Sequence, residues 1–199
     1  MKAYKAFLAT LVFLVVLLGI YWVHVNFFKV NVLFYSAIGD GVLATIVSAA
    51  LLFSWRRFAV VGSFEKTLLC LIWLLGSYAF AISVPTLIDR SLSFYILEKI
   101  QQRGGGIRFD RFEEVFTKEY VKEHRLMDVR LTEQQESGTI VIDGNGCIRL
   151  TEWGSYIATA SRYFRQHLLP KQRLLICKYS DDLTDPFRKS QPVPDYACK

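Results

Sequence analysis

Residues 67–84, TLLCLIWLLGSYAFAISV, run for eighteen positions without a charge. A helix of that length crosses the hydrocarbon core of a bilayer with little tilt, and it satisfies its own backbone where no water can. The run stops at Pro85, where a mixed, charged sequence begins. The direction of this span therefore sets the side of the membrane on which residues 85–199 work.

Two more apolar runs precede it. Residues 6–23 carry no charge after Lys2 and Lys5, and residues 30–55 carry only Asp40. The first is longer than a signal-peptide core and ends in Tyr21, Trp22, Val23 and His24 rather than in a small-residue cleavage site. It reads as an uncleaved span with an aromatic belt at its end. Spans are thus expected over 6–28, 30–55 and 67–84, a transmembrane α-helical region filling residues 1–84. This region holds six Lys/Arg and two Asp/Glu, whereas residues 85–199 hold 18 and 16. The formal charge of +6 comes mainly from the membrane flanks and speaks of topology rather than of nucleic acid.

Lys2 and Lys5 before the first span, with Arg56, Arg57 and Lys66 after the second, outnumber the lone Lys29 between them. Basic residues of short loops stay on the cytoplasmic side. The amino terminus is therefore expected inside and residues 85–199 outside, in a plasma membrane of the bacterial inner-membrane type. A re-entrant second segment, broken at Gly39-Asp40-Gly41, would reverse that order. Asp40 has two readings. Counted back about 20 residues from Trp55, it lies one turn inside the span, where a carboxylate is costly and faces a partner, a cavity or a polar path. If Gly39-Asp40-Gly41 is instead a surface loop, only fourteen residues remain through Trp55.

Beyond Pro85, helices are expected over 86–103, ended by Gly104-Gly105-Gly106, over a stretch opened by Asp110 and Glu113 as a capping box, and over 122–136, ended by Gly138. Residues 107–109 read as a very short strand. Residues 139–143 and 147–150 flank Gly144-Asn145-Gly146 as a hairpin. Thr151 then caps a helix whose Trp153, Ile157, Ala160, Phe164 and Leu168 form an apolar stripe, expected in a core. The order helix, strand, helix, helix, hairpin, helix, with Leu150-Thr151-Glu152-Trp153-Gly154 after the hairpin, resembles a winged-helix domain over 86–168. The fold class is then a three-span membrane anchor carrying a small α+β domain (85–170) and an extended tail (171–199), with 174–177 able to add an edge strand. Winged helices often bind DNA through the third helix, but here residues 118–136 carry four basic and five acidic side chains. That sign is wrong for displacing counterions from DNA, so no nucleic-acid partner is expected.

No nucleotide loop, nucleophile elbow or metal-ligand spacing is present, and no catalytic residue, metal or cofactor is expected. Asp89 and Arg90, where the third span leaves the bilayer, join Asp40 as candidate contacts to a lipid or a partner subunit. Cys70 reads as a small apolar residue. In an oxidising compartment Cys147 and Cys177 can pair, leaving Cys198 odd. The expected function is a non-enzymatic accessory subunit or scaffold, bound to membrane lipids and another integral membrane protein, in a complex such as those that assemble or move envelope glycans or lipids. The alternatives are a cytoplasmic winged-helix regulator and a small enzyme acting on a lipid-linked substrate.

Overall fold

The computed structural model describes residues 2–188 and 198. Three helices long and apolar enough to cross a membrane come first: α1 (Lys2–Phe27), α2 (Leu33–Ser54) and α3 (Ser63–Ala81). The joints at 28–32 and 55–62 are short, so neighbouring helices run antiparallel.

α2 is the central element. Its buried residues Ala37, Asp40, Gly41, Ala44, Thr45, Ser48 and Leu52 recur every three or four positions and are mostly small. In lipid, helices gain little from apolar burial against each other, so close approach between small residues supplies the attraction. Gly41 is a point of close approach to α3. Ser77 Oγ donates to the Gly41 carbonyl at 3.3 Å, Thr45 Oγ1 donates to the same oxygen at 2.8 Å, and a Cβ at Gly41 would collide with the Ser77 Cβ. Large residues fill the other half of the bundle. Phe13 and Trp73 stack with centroids 5.1 Å apart, and Trp73 Nε1 donates to Thr10 Oγ1 at 3.2 Å. Ala9, Leu17, Ala44, Leu52 and Phe58 close around them.

The basic residues expected to set the topology gather at one end. Lys2 pairs with Glu65 at 3.2 Å, Arg56 and Arg57 lie in the helical turn Arg56–Phe58, and Lys66 lies 5.1 Å from the Phe53 ring centre. Lys5 is one turn into α1. Lys66 is buried, so its position reflects packing as well as charge.

The third span does not stop at Pro85. The chain takes a wide turn over Ile82–Thr86, in which Leu87 N donates to Ile82 O, and stays helical through Leu87–Arg90. Proline has no N–H and crowds the carbonyl four residues back, and the extra residue in the turn absorbs both faults. The break comes at Ser91, whose side chain accepts from Phe94 N at 3.3 Å and caps the helix Leu92–Gln102. Gly104 and Gly105, with φ of 81° and 96°, end that helix as expected.

Residues 107–109 are not a strand, and Phe109–Arg111 is a helical turn. Asp110 is not a cap either, because Arg108 grips both its oxygens at 3.0 and 2.8 Å. Residues 112–123 are helical, and a bend at Arg125 (φ 44°) divides the helix expected over 122–136, leaving Leu126–Glu136. The chain packs as two compact units, Met1–Arg125 and Leu126–Lys199. Their boundary thus falls within the segment that resembles a winged helix, and that arrangement is not confirmed.

In the second unit, Gly138 (φ 69°) ends the helix Leu126–Glu136. β1 (Ile140–Ile142) and β2 (Ile148–Leu150) then pair antiparallel, with Ile140 opposite Leu150. Asp143 Oδ1 accepts from the amides of Asn145 and Cys147 and closes the turn. Thr151 Oγ1 donates to Gly138 O at 2.7 Å and accepts from Gly154 N at 3.0 Å, so it fastens the hairpin base and caps the helix Glu152–His167. Gly154 is the only residue type that fits there, since a Cβ would overlap the Thr139 carbonyl. The Leu150-to-Gly154 run is therefore a joint between hairpin and helix.

Three expectations for this unit need correction. The stripe of Trp153, Ile157, Ala160, Phe164 and Leu168 is exposed, not core. Residues 174–177 add no strand to the first hairpin; β3 (Arg173–Leu175) and β4 (Lys178–Ser180) form a second one. Cys177 sits exposed in its two-residue turn with φ of 68° and remains a free thiol, while Cys147 bonds Cys198, their Cα atoms 5.9 Å apart. That separation is one a disulfide spans. Residues 181–188 turn back on themselves through Thr184 N to Asp181 O and Arg188 to Asp181. The rest of the expected tail, 189–197 and 199, lies outside the described residues.

Candidate functional site

The joint between α1 and α2 is short, so residues at similar distances before and after it lie side by side. His24, near the end of α1, and Asp40, two turns into α2, meet in this way: His24 Nδ1 is 2.6 Å from Asp40 Oδ1. Asp40 is therefore a helical residue inside α2, not a member of a surface loop. Its side chain is buried, 7% exposed, while that of His24 is 27% exposed. The Phe28 ring meets the imidazole edge-on, with centroids 5.6 Å apart, and holds it in place.

The two glycines around Asp40 act separately. Gly41 admits α3, as described above. Gly39 lines an open groove between α1 and α2, and a Cβ there would meet nothing within 4 Å. Gly19 does the same from α1. The groove holds about 580 Å³ and is walled by Ile20, Val23, Phe28 and Leu43, with His24, Ser36 and Asp40 as its polar members. Asp40 Oδ2 is buried and has no hydrogen-bond partner among the described residues. A carboxylate oxygen left bare in an apolar wall costs on the order of 1–3 kcal/mol, or more if charged. The arrangement suits a third group: an N–H, O–H or cation entering the groove would satisfy Oδ2 without disturbing the His24 contact.

Asp89 and Arg90 fall on the helical continuation of the third span, Asp89 exposed and Arg90 half-buried. They do not line this groove. Sequence reasoning placed His24 inside the first span, 6–28, and gave it no role. Its signal was positional: in a tight helical hairpin, an ionisable residue a turn before the joint and another two turns after it sit at nearly one depth.

A second charged cluster lies on the helix Leu92–Gln102 and the 116–123 segment. Lys99 Nζ sits between Glu119 at 2.8 Å and Glu123 at 2.7 Å, Tyr95 donates to Glu123 at 2.8 Å, and Arg103 bonds Glu119. These hydrogen bonds raise the Lys99 ammonium and lower both carboxyls, Glu119 through Lys99 and then Arg103, Glu123 through Lys99 and then Tyr95. Every member has a partner, so the cluster fastens two helices. Among the described residues no group of His, Cys, Asp and Glu has metal-holding geometry. No family model, curated protein or solved structure matches the chain.

Proposed function

We propose that this chain is an accessory subunit of a membrane complex that binds a transmembrane helix of another protein in the α1–α2 groove. The observation that carries the proposal is the bare Oδ2 of Asp40, buried in an apolar wall and already oriented by His24. Such a group is retained in lipid where a partner completes it. A partner helix bearing Lys, Arg, Ser or Thr at that depth supplies the missing donor, and Gly19 and Gly39 give its backbone room.

Orientation follows the basic residues. Lys2, Lys66 and the Arg56–Phe58 turn share one end of the bundle, which is the cytoplasmic end by the positive-inside rule. Three crossings then put the second unit outside, where the Cys147–Cys198 disulfide would persist. Complexes handling envelope glycans or lipids are the proposed setting.

The test is copurification from membranes in mild detergent. Asp40→Asn keeps the shape but weakens the acceptor, Asp40→Leu removes it, and Ile46→Leu on the exposed face is the control. Partner recovery should fall severalfold for Asn and by tenfold or more for Leu, about 1.4 kcal/mol or greater, with no change for Ile46→Leu. Equal recovery in all three contradicts the proposal.

A further inference from the structure

The helix Glu152–His167 shows an apolar arc that no other described residue covers. Trp153, Tyr156, Ile157, Tyr163 and Phe164 lie within about 120° of one another on the helical wheel, and Leu168 extends the arc. All are exposed, Trp153 by 54% and Phe164 by 52%. The helix is held at its beginning, by Thr151 and by Gly154 against the Thr139 carbonyl, and Gly154 falls outside the arc. The hairpin therefore secures the helix without covering its apolar side.

We propose that this helix lies in the membrane–water interface, with its apolar arc against the acyl boundary and anionic lipid headgroups around its basic residues. Three observations favour lipid over protein as the occupant. The chain carries three helices long and apolar enough to cross a membrane, which would keep a bilayer surface within covalent reach of the second unit. The arc is rich in rings with polar tips, Trp153, Tyr156 and Tyr163, which settle at headgroup level with the ring in the apolar layer and the tip in water. Charge agrees as well. Arg162 and Arg165 on the helix, and Lys171 and Arg173 just after it, face a single acidic residue, Glu152, giving an excess of positive charge that suits phosphate headgroups. At about 1.5 Å per residue the helix extends about 24 Å, enough to float along the surface but not placed to cross it. The inference does not depend on which side of the membrane the second unit occupies, nor on the groove around Asp40.

The experiment uses the full chain in vesicles of phosphatidylcholine with phosphatidylglycerol. Cys70 and Cys177 are replaced by Ser, and a nitroxide is placed in turn at Tyr156, Ile157 and Phe164, and at Ser155, Thr159 and Arg162. Collision with oxygen reports immersion in lipid, and collision with a water-soluble nickel chelate reports exposure to water. The oxygen-to-chelate ratio should oscillate along the helix with a period of about 3.6 residues, high at the first three positions and low at the last three. The contrast should grow with the phosphatidylglycerol fraction. Chelate access at all six positions, as for a helix free in water, overturns the inference. So does a set of apolar positions closed to both reagents, as when a second copy of the chain covers the arc.

Discussion

Asp40 and His24 form a pair in which each limits the cost of the other. Removing one member leaves the other unsatisfied in an apolar wall, so a single substitution is worse than a double one. His24→Leu, which leaves the buried Asp40 with neither oxygen paired, should lower the thermal stability of the detergent-solubilised protein by the equivalent of about 1–3 kcal/mol. The His24→Leu/Asp40→Leu double variant should recover most of that loss while failing to bind the partner. A double variant no more stable than the single one would mean that the 2.6 Å contact contributes little. The neighbouring glycines differ in a measurable way. Gly39→Ala meets open space, whereas Gly41→Ala drives a methyl into Ser77 and separates α2 from α3. The first should be nearly silent in stability, and the second should cost about 1–3 kcal/mol, the usual range for overpacking. Equal melting temperatures would contradict the crossing described here.

At the Lys99 cluster the sign of the pH dependence is fixed by the direction of each shift. The depressed carboxyls of Glu119 and Glu123 stabilise above the ordinary carboxylate range, roughly pH 4.3, and lose that contribution as pH falls through their folded values. Lys99, held above its ordinary value, contributes fully below about pH 10.4 and loses it only as pH rises beyond. Ring resonances of Tyr95 and Tyr120, whose centroids are 4.7 Å apart, should stay constant from neutral pH until an acid transition. Lys99→Met should move that transition to higher pH, because the carboxyls lose the cation that holds them low. A transition unaltered in Lys99→Met would show that the cluster does not couple the two helices.

Among the elements, the Thr151 joint makes a compact prediction. Its hydroxyl donates to Gly138 O and accepts from Gly154 N, so Thr151→Ala removes a cap and a strut together. The loss should be at least the roughly 1 kcal/mol of an ordinary cap, read as faster hydrogen exchange of the helix Glu152–His167 and of β1 alike. Exchange faster in the helix alone would reduce Thr151 to a simple cap. The Thr151 cap was legible in the sequence because capping is local, and so were the three long apolar helices and the turn around Gly144-Asn145-Gly146, whereas the strut to Gly138 and the close contact at Gly154 were not. Features decided by competition between neighbouring contacts were not. Pro85 looked like a terminus, but a wide turn over Ile82–Thr86 carries the helix past it. Asp110 looked like a cap until Arg108 took both its oxygens. The arc from Trp153 to Leu168 has the spacing of a buried face, and spacing alone does not tell protein cover from lipid cover.

For the whole molecule, the proposed orientation makes the amino terminus cytoplasmic and the second unit extracytoplasmic. A reporter active only in the cytoplasm, fused after Leu168, should be silent, and Arg56→Glu with Arg57→Glu should disturb that result. Reduction of the Cys147–Cys198 bond, which closes a sequence separation of 51 residues, should destabilise the second unit by about 2–4 kcal/mol. The membrane unit also explains why half of the candidate site escaped the sequence: Asp40 announces itself as a charge in an apolar run, but His24 acquires meaning only when α1 and α2 fold back on each other. The most direct test of the central claim, that the groove beside this pair receives a helix of another protein, is photo-crosslinking in intact membranes. A photoreactive residue placed at Leu43 in the groove should yield a protein adduct that disappears with Asp40→Leu, while one at Leu75, 70% exposed on α3, should yield lipid adducts only. Lipid adducts alone at both positions, unaffected by Asp40→Leu, would contradict it.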